Sequence, residues 1–441
     1  MGSGDKKVFI QTWGCQMNYY DEDMMKEILE ASGYLSIDDE DSADVVLLNT
    51  CSVRENAEVK VINKIHRLIQ RKQGNESFVI GVVGCMAENR SEYLRKKFPE
   101  VQVICGPSSY VDLPILIDRI YEGNSHSESL GIDKREMFPN LAVRGNKLQS
   151  FVTIMRGCDN HCSYCVVPKT RGKEKSRTIE EIYDEITVMV EGGCREVTLL
   201  GQNVDSYGKG LNVHFVDLLE RVNTIKGLER IRFITSHPKD ASERLFYAFR
   251  DLEKLMPYFH LPLQSGSNGI LRKMYRSYTR ELYIQKIDKL RSIVPDISLS
   301  SDFIVGFPTE SEKDFQETCD AYEQIAYDTS FIFKYSPRSG TKAAEMTDDV
   351  PKNIKEERNQ RLLEIQEKVS HERNSRFVGR TVNVLVEGES KRNPDRYCGR
   401  SEHFNLVVFD GNPDMIGKIV PVNIERATAL TLFGNPAYAR T

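Results

Sequence analysis

The sequence predicts an α/β protein in three parts: an open parallel sheet, a partial barrel of six βα units, and a small antiparallel β-barrel. Three observations carry this expectation. Short apolar runs alternate with helical patterns through the first two parts, which argues for parallel sheets layered with helices. The motif CDNHCSYC follows directly on a strand pattern. Towards the end, helical periodicity gives way to short strands separated by turn residues.

The 441 residues are enough for two or three domains with a sizeable core, and 40% hydrophobic with 28% charged residues is ordinary for a globular chain. A formal net charge of -5 gives no global sign of a polyanion partner, so any nucleic-acid surface has to be local. No apolar run approaches membrane-spanning length, and no signal-peptide apolar region opens the chain, so no membrane association is expected. Met1 to Gly4 read as an expression remnant rather than structure.

In order, Val8–Thr12, Val45–Thr50, Phe78–Gly84 and Val101–Cys105 read as buried strands. Asp23–Ser32, Glu55–Gln73 and Arg90–Phe98 read as the helices between them. These make an amino-terminal domain over residues 5–121. Gly, Asn, Ser and charged residues mark 122–147 as a linker. Residues 148–373 repeat a strand–helix unit six times, with strands expected at Phe151–Arg156, Glu196–Leu200, Ile231–Thr235, Phe259–Leu263, Leu299–Val305 and Ser330–Tyr335. Six units suit a partial barrel, whose chemistry lies at the carboxyl ends of its strands. Residues 376–441 form the last part, with strands expected at Thr381–Glu387, Asn405–Phe409, Ile416–Ile424 and Ala429–Gly434. This part has nine Lys or Arg against seven Asp or Glu, a local positive excess.

Ten cysteines are too few for a disulfide scaffold in a chain this long, and six sit where metal ligands would. Cys158, Cys162 and Cys165 have C-x3-C-x2-C spacing in one loop. Three thiolates so placed can hold three corners of a cubane and leave one iron for a small molecule to chelate. A closed zinc site would need a fourth ligand, and His161 lies too near in sequence to supply it. Cys15, Cys51 and Cys85 follow three expected parallel strands, whose carboxyl ends converge on one crevice. They suggest a second cluster; Cys105 also ends a strand and is the rival ligand. Ligands that must stay thiolates point to a reducing cytoplasm.

Several barrel strands end in polar or small residues: Gly201–Asn203, Thr235–Pro238, Leu263–Ser267, Ser300–Asp302 and Ser336–Thr341. All fall on the face that carries the cysteine loop. Asp302 is suited to ribose hydroxyls. Two basic runs flank this mouth: Lys169, Arg171, Lys173, Lys175 and Arg177, then Arg272, Lys273, Arg276 and Arg280 with Tyr275 and Tyr278 between. Against the common reading of a solvated charged face stands a rim for phosphates, with tyrosines for base stacking. Lys169, Arg171, Lys173, Arg272 and Arg276 are the candidate RNA contacts.

The motifs QTWGCQMN, LLNTCSVRENAE, GVVGCMAE, RGCDNHCSYCVVPKTRG, LLGQNV, TSHP, HLPLQSGS, SSDFIVGFPTE and SPRSGT together resemble the radical S-adenosylmethionine methylthiotransferases of the MiaB type. The resemblance runs over essentially the whole chain and implies a carboxyl-terminal TRAM domain that binds RNA. It implies two 4Fe-4S clusters: an auxiliary one on Cys15, Cys51 and Cys85, leaving Cys105 aside, and the radical one on Cys158, Cys162 and Cys165. It places Tyr164 near the S-adenosylmethionine adenine, with Gln202, Asn203, Ser236, Gln264 and Asp302 as further cofactor contacts. The implied reaction adds a methylthio group to carbon 2 of N6-isopentenyladenosine beside the anticodon of tRNA. It consumes two S-adenosylmethionine molecules per turnover, one for the radical that an unactivated ring carbon requires and one for the methyl group. The anticodon stem-loop, an electron donor such as flavodoxin or ferredoxin, and an iron–sulfur carrier are the implied partners. Relatives acting on threonylcarbamoyl-adenosine or on ribosomal protein S12 share the architecture. TSHP and CVVP-x-TRG resemble the isopentenyladenosine branch better, although Lys169 stands where a tyrosine is common there.

Overall fold

A computed structural model describes residues 6–51, 55–132 and 147–437. The expected remnant Met1–Gly4 and most of the expected linker lie outside the described residues.

The amino-terminal domain is a six-stranded, wholly parallel sheet. Its strands are β1 (Lys7–Trp13), β2 (Leu35–Ser36), β3 (Val45–Thr50), β4 (Val79–Gly84), β5 (Val103–Cys105) and β6 (Ser127–Ser129), in the order β2-β1-β3-β4-β5-β6. β3 and β4 are buried at every position, as central strands covered on both faces must be. Helices α1 (Gln16–Ala31), α2 (Glu55–Lys72), α3 (Cys85–Lys97) and α4 (Leu113–Tyr121) cover the sheet. β2 and β6 are short edge strands with no apolar run to announce them. β6 falls inside the stretch expected to be linker, where it pairs with β5.

Two helices begin earlier than their periodicity predicts. α1 starts immediately after Cys15, and α3 starts at Cys85, so each cysteine sits at a helix amino terminus. In α1 an apolar stripe of Met17, Tyr20, Met24 and Ile28 is buried between the sheet and the next domain, within one continuous core that also holds Val152, Ile154 and Met155.

The second domain has six parallel strands in barrel positions: β7 (Gln149–Thr153), β10 (Glu196–Leu200), β11 (Arg230–Phe233), β12 (Tyr258–His260), β13 (Ser298–Val305) and β14 (Thr329–Lys334). They form two three-stranded sheets, β7-β10-β11 and β12-β13-β14, joined by a parallel bridge from Ile231 to Leu255. A two-residue ribbon, β8 (Met155–Arg156) with β9 (Lys175–Ser176), frames the cysteine loop. The helices are α5 (Val167–Thr170), α6 (Ile179–Glu191), α7 (Phe215–Asn223), α8 (Glu243–Asp251), α9 (Asn268–Lys273), α10 (Arg280–Ile293), α11 (Glu312–Ile325) and α12 (Lys352–Ser375). Capping boxes open α6 at Thr178 and α11 at Ser311, where Glu181 and Asp314 answer the caps.

The last domain is a closed barrel of β15 (Thr381–Ser390), β16 (Asn393–Ser401), β17 (Leu406–Phe409), β18 (Ile419–Ala427) and β19 (Thr431–Pro436), in the order β15-β16-β17-β19-β18. One strand more than expected is present: β16 reads NPDRYCGRS, without apolar alternation to signal it. The pairing is antiparallel except between β17 and β19. The barrel docks on the second domain through arginines of β11. Arg230 donates to the Arg400 and Asn383 carbonyls (2.8 Å each), and Arg232 donates to those of Glu402 (3.0 Å) and Ser401 (2.7 Å).

Candidate functional site

The amino-terminal cysteines meet as parallel-strand geometry requires. Cys15, Cys51 and Cys85 follow β1, β3 and β4, which are adjacent in the sheet. The Cys15 and Cys51 thiols hydrogen-bond, and this contact, with Arg171 nearby, brings Cys15 down to about 6. Burial instead pushes the Cys85 thiol up, against the pull of the Arg171 guanidinium. Asn18 and Asn49 brace the loops. The Asn18 amide donates to Asn49 Oδ1 (3.2 Å), Asn49 Nδ2 returns to the Asn18 carbonyl (2.7 Å), and Cys15 N–H donates to Asn18 Oδ1 (3.3 Å). Gly14 must be glycine, because a Cβ there would collide with Cys51 Cβ and Asn18. The fully buried Cys105 thiol donates to the Ser109 carbonyl at 3.2 Å, and the Cys15 thiol donates to Asn18 Oδ1 at 3.3 Å.

The second trio lies in the loop between β8 and α5. Gly157 enters that loop at φ +75°, and a Cβ there would overlap the Lys173 carbonyl. Cys158 N–H donates to the Gly172 carbonyl (3.1 Å). Ser163 N–H donates to that of Met274 (3.0 Å), and the Ser163 carbonyl accepts from Ala343 N–H (2.8 Å). The loop is thus tied to the turns after α9 and β14. Partial enclosure and the neighbouring Cys162 push Cys165 up to about 12, and burial raises Cys158 as well.

The strand-end residues gather at this mouth. Gln202 contacts Met17, two residues beyond Cys15, so the mouth faces the first trio. Asn203 donates to Asp240 (2.7 Å), and Ser236 to Asp205 (2.9 Å). Gln264 is held at φ +71°, bridged to Phe303, and Asp302 lies 3.6 Å from His260. Burial beside Arg276 takes His237 down to about 2, so it is neutral at any working pH. Tyr164 packs against a separate apolar cluster of Ile270, Met274, Phe307, Tyr335 and Ala343.

Two of the five candidate RNA contacts, Arg171 and Arg276, are buried instead, as is Arg177 of the same basic run, which pairs with Glu185. Arg171 is 4% exposed: its Nη2 pairs with Asp21 at 2.6 Å and its Nε donates to Cys85 Sγ at 3.3 Å. Arg276 is 7% exposed: it donates to Cys162 Sγ (3.5 Å), the Pro262 carbonyl (3.0 Å) and Tyr278 Oη (2.7 Å). Tyr278 is buried with it and cannot stack on a base. Each guanidinium is desolvated because buried sulfur, carbonyl and carboxylate acceptors compensate it, which a solvated rim would not require. Lys169, Lys173, Arg272 and Tyr275 are exposed as expected.

Asp21 and Arg156 also belong to this centre; Arg156 opens the RGCDNHCSYCVVPKTRG motif, whereas Asp21 lies outside every motif. Asp21, fully buried on α1, accepts from Arg171, from Arg156 (3.1 Å) and from the Tyr110 hydroxyl (3.2 Å). The sequence did carry a signal: Asp21 interrupts the Met17–Met24 stripe at helical spacing.

A cubane fits this donor set. The thiols stand in two groups of three, and each group has one buried arginine donating to a sulfur. Gln202 Oε1, Asn203 Oδ1 and Arg171 Nη1 are buried without a hydrogen-bond partner.

A partial βα barrel with a cysteine trio on its first loop defines a radical S-adenosylmethionine protein. The Radical SAM superfamily model matches residues 152–322, the TRAM domain model residues 375–437, and a model described as Uncharacterized protein family UPF0004 residues 7–106. The chain is 44% identical over 97% of its length to a tRNA-2-methylthio-N(6)-dimethylallyladenosine synthase of Clostridium botulinum (strain Loch Maree / Type A3), covering 96% of that protein. It is 45% identical to the Clostridium novyi (strain NT) protein of the same name, over 98% of this chain and 96% of the other. The chain therefore belongs to the tRNA-2-methylthio-N(6)-dimethylallyladenosine synthase family. Among solved structures, a radical S-adenosylmethionine methyltransferase, TsrM, from Kitasatospora setae with cobalamin and a [4Fe-4S] cluster bound shares the fold, with a TM-score of 0.55 at 15% identity, covering 78% of this chain and 74% of that one.

Proposed function

We propose that this protein adds a methylthio group to carbon 2 of N6-dimethylallyladenosine, the same base as N6-isopentenyladenosine, next to the anticodon of tRNA. The observation that carries the reading is the pair of cysteine trios, brought to one interface by Arg156 and Arg171 of the second domain reaching Asp21 of the first. Cys158, Cys162 and Cys165 would hold the radical 4Fe-4S cluster, and Cys15, Cys51 and Cys85 the auxiliary one. When bound, these clusters and S-adenosylmethionine supply the one-electron chemistry, the sulfur and the methyl group.

The chain's own residues bind and orient. Asn203, Ser236, Gln264 and Asp302 line the mouth where S-adenosylmethionine would lie, with Gln202 at the junction to the first domain and Tyr164 behind it. The exposed Lys169, Lys173 and Arg272 would neutralise phosphates, and Tyr275 would stack on an unpaired base. An unpaired loop base is required, because duplex stacking would hide the adenine. An electron donor such as flavodoxin or ferredoxin, an iron–sulfur carrier and a cytoplasmic location complete the reading, since tRNA and reduced thiolates meet there.

The test is anaerobic turnover on an anticodon stem-loop carrying the dimethylallyl base, read by nucleoside mass spectrometry. A 2-methylthio product is expected. Deoxyadenosine without that product, or product on ribosomal protein S12 instead, would sink the assignment.

A further inference from the structure

We infer that Phe331 is a specificity-determining residue of the barrel lumen, the apolar wall against which the dimethylallyl substituent of the substrate base packs. This deepens the proposed function and rests on its reading of the substrate.

The two faces of β14 differ. Ser330 Oγ meets Tyr322 Oη of α11 at 3.0 Å and donates to Gln366 Oε1 of α12 at 2.8 Å, and Ile332 packs on the main core. Side chains alternate along a strand, so Phe331 and Phe333 point the other way, into the lumen. Both are exposed there, at 48% and 39%. The register sets Phe331 beside Asp302 of β13, and Phe333 beside Ile304. Ile304 and Tyr164 pack on one apolar cluster, which puts Phe333 at the level of the loop that carries Cys165. Phe331 stands two residues, or about 7 Å, deeper in the barrel.

At that depth its neighbours are polar. Asp302 lies 3.6 Å from His260, and His260 Nδ1 bonds to the Ser300 hydroxyl at 2.8 Å. The Phe331 ring meets His260 edge to face, with centroids 6.2 Å apart, so much of the phenyl surface stays open. An apolar surface set among a few fixed polar groups is how small-molecule sites are built. The polar strand ends suit S-adenosylmethionine and the heteroatoms of an adenine ring. A branched alkenyl chain has no hydrogen-bonding atom for them to meet, and its binding energy has to come from apolar area removed from water. Phe331 supplies that area beside the polar mouth. An adenine without the chain would leave the ring wet, so the contact discriminates between the two bases.

The test measures binding of fluorescently labelled anticodon stem-loops to the anaerobic holoenzyme, with S-adenosylmethionine and without reductant, so that no turnover intervenes. One stem-loop carries the dimethylallyl base and the other an unmodified adenine at the same position. Phe331→Ala and Phe331→Leu are compared with the wild type at matched iron content. The wild type is expected to prefer the dimethylallyl stem-loop. Phe331→Ala should bind that stem-loop about tenfold more weakly and the unmodified one as before, and Phe331→Leu should restore most of the preference. An unchanged ratio, an equal loss for both stem-loops, or a wild type without preference overturns the assignment. Weakened S-adenosylmethionine binding with the ratio intact overturns it too, since Phe331 would then face the cofactor. Absence of 2-methylthio product from the wild type once reductant is added would instead overturn the proposed function itself.

Discussion

Replacing Asp21 by alanine tests the junction between the first two domains. Asp21 is fully buried and accepts from Arg171 at 2.6 Å, Arg156 at 3.1 Å and the Tyr110 hydroxyl at 3.2 Å. Both arginines are almost fully buried, so water cannot replace the lost carboxylate. Removing one partner of a buried ion pair costs about 3–5 kcal/mol, because the orphaned charge keeps its desolvation penalty. At a urea slope of roughly 2 kcal/mol per molar, that loss lowers the midpoint by about 1.5–2.5 M. Trp13, the chain's one tryptophan, ends β1 beside Cys15 and reports on the amino-terminal sheet by fluorescence. The measurement uses reduced, metal-free protein, so cluster loss does not enter. A midpoint within about 0.5 M of the wild type, which is about 1 kcal/mol, would show that the three-way contact does not hold the domains and would refute the argument.

Cys105→Ser should leave iron content unchanged, because the Cys105 thiol donates to the Ser109 carbonyl and a hydroxyl can do the same; a fall to about half would make it a ligand. Gly157→Ala should lower iron from about eight to about four per chain, since φ +75° and the Lys173 carbonyl leave no room for a Cβ in the loop before Cys158. Asp205 gives a pH dependence. It accepts from the Ser236 hydroxyl and the His237 N–H, yet burial lifts it to about 7 from the usual value near 3.8. A carboxyl raised in the folded state contributes stability in full below about pH 4, and that contribution is lost as pH rises through about 7. Asp205→Asn should therefore flatten urea midpoints between pH 4 and 8, and an unchanged slope would show that Asp205 is ionised in the fold.

The cysteine trios were legible because their signal is topological. Three cysteines after three parallel strands, and three more on one loop, need only strand order to be grouped. The arginines were misread for the opposite reason. Arg171 and Arg276 sit in basic runs, and neighbours such as Lys169, Lys173 and Arg272 are solvated as a charge run suggests. Nothing local distinguishes the guanidinium that turns inward. What distinguishes it is an acceptor far off in the chain: Asp21, 150 residues away, for Arg171, and Cys162, 114 away, for Arg276. The strand β16 was missed on similar grounds, since Asn, Pro, Asp and Arg at its start give it no periodicity until β15 and β17 pair with it.

Those inward arginines bear on why the interface is ionic at all. Apolar packing already joins the domains, through Met17, Tyr20 and Met24 of α1 with Val152, Ile154 and Met155. Such packing tolerates small slides at little cost, because dispersion is not directional. Transfer of a sulfur atom to a ring carbon does not tolerate them, since misplacement by about an ångström can cost a hundredfold in rate. A buried carboxylate gripped by Arg156 before the cysteine loop and Arg171 after it fixes both ends of that loop against α1, whose first turn is capped by Cys15. The ion cluster adds little net stability over an apolar substitute. Its contribution is register: it sets where one cysteine trio stands relative to the other, which is what a reaction divided between two centres demands.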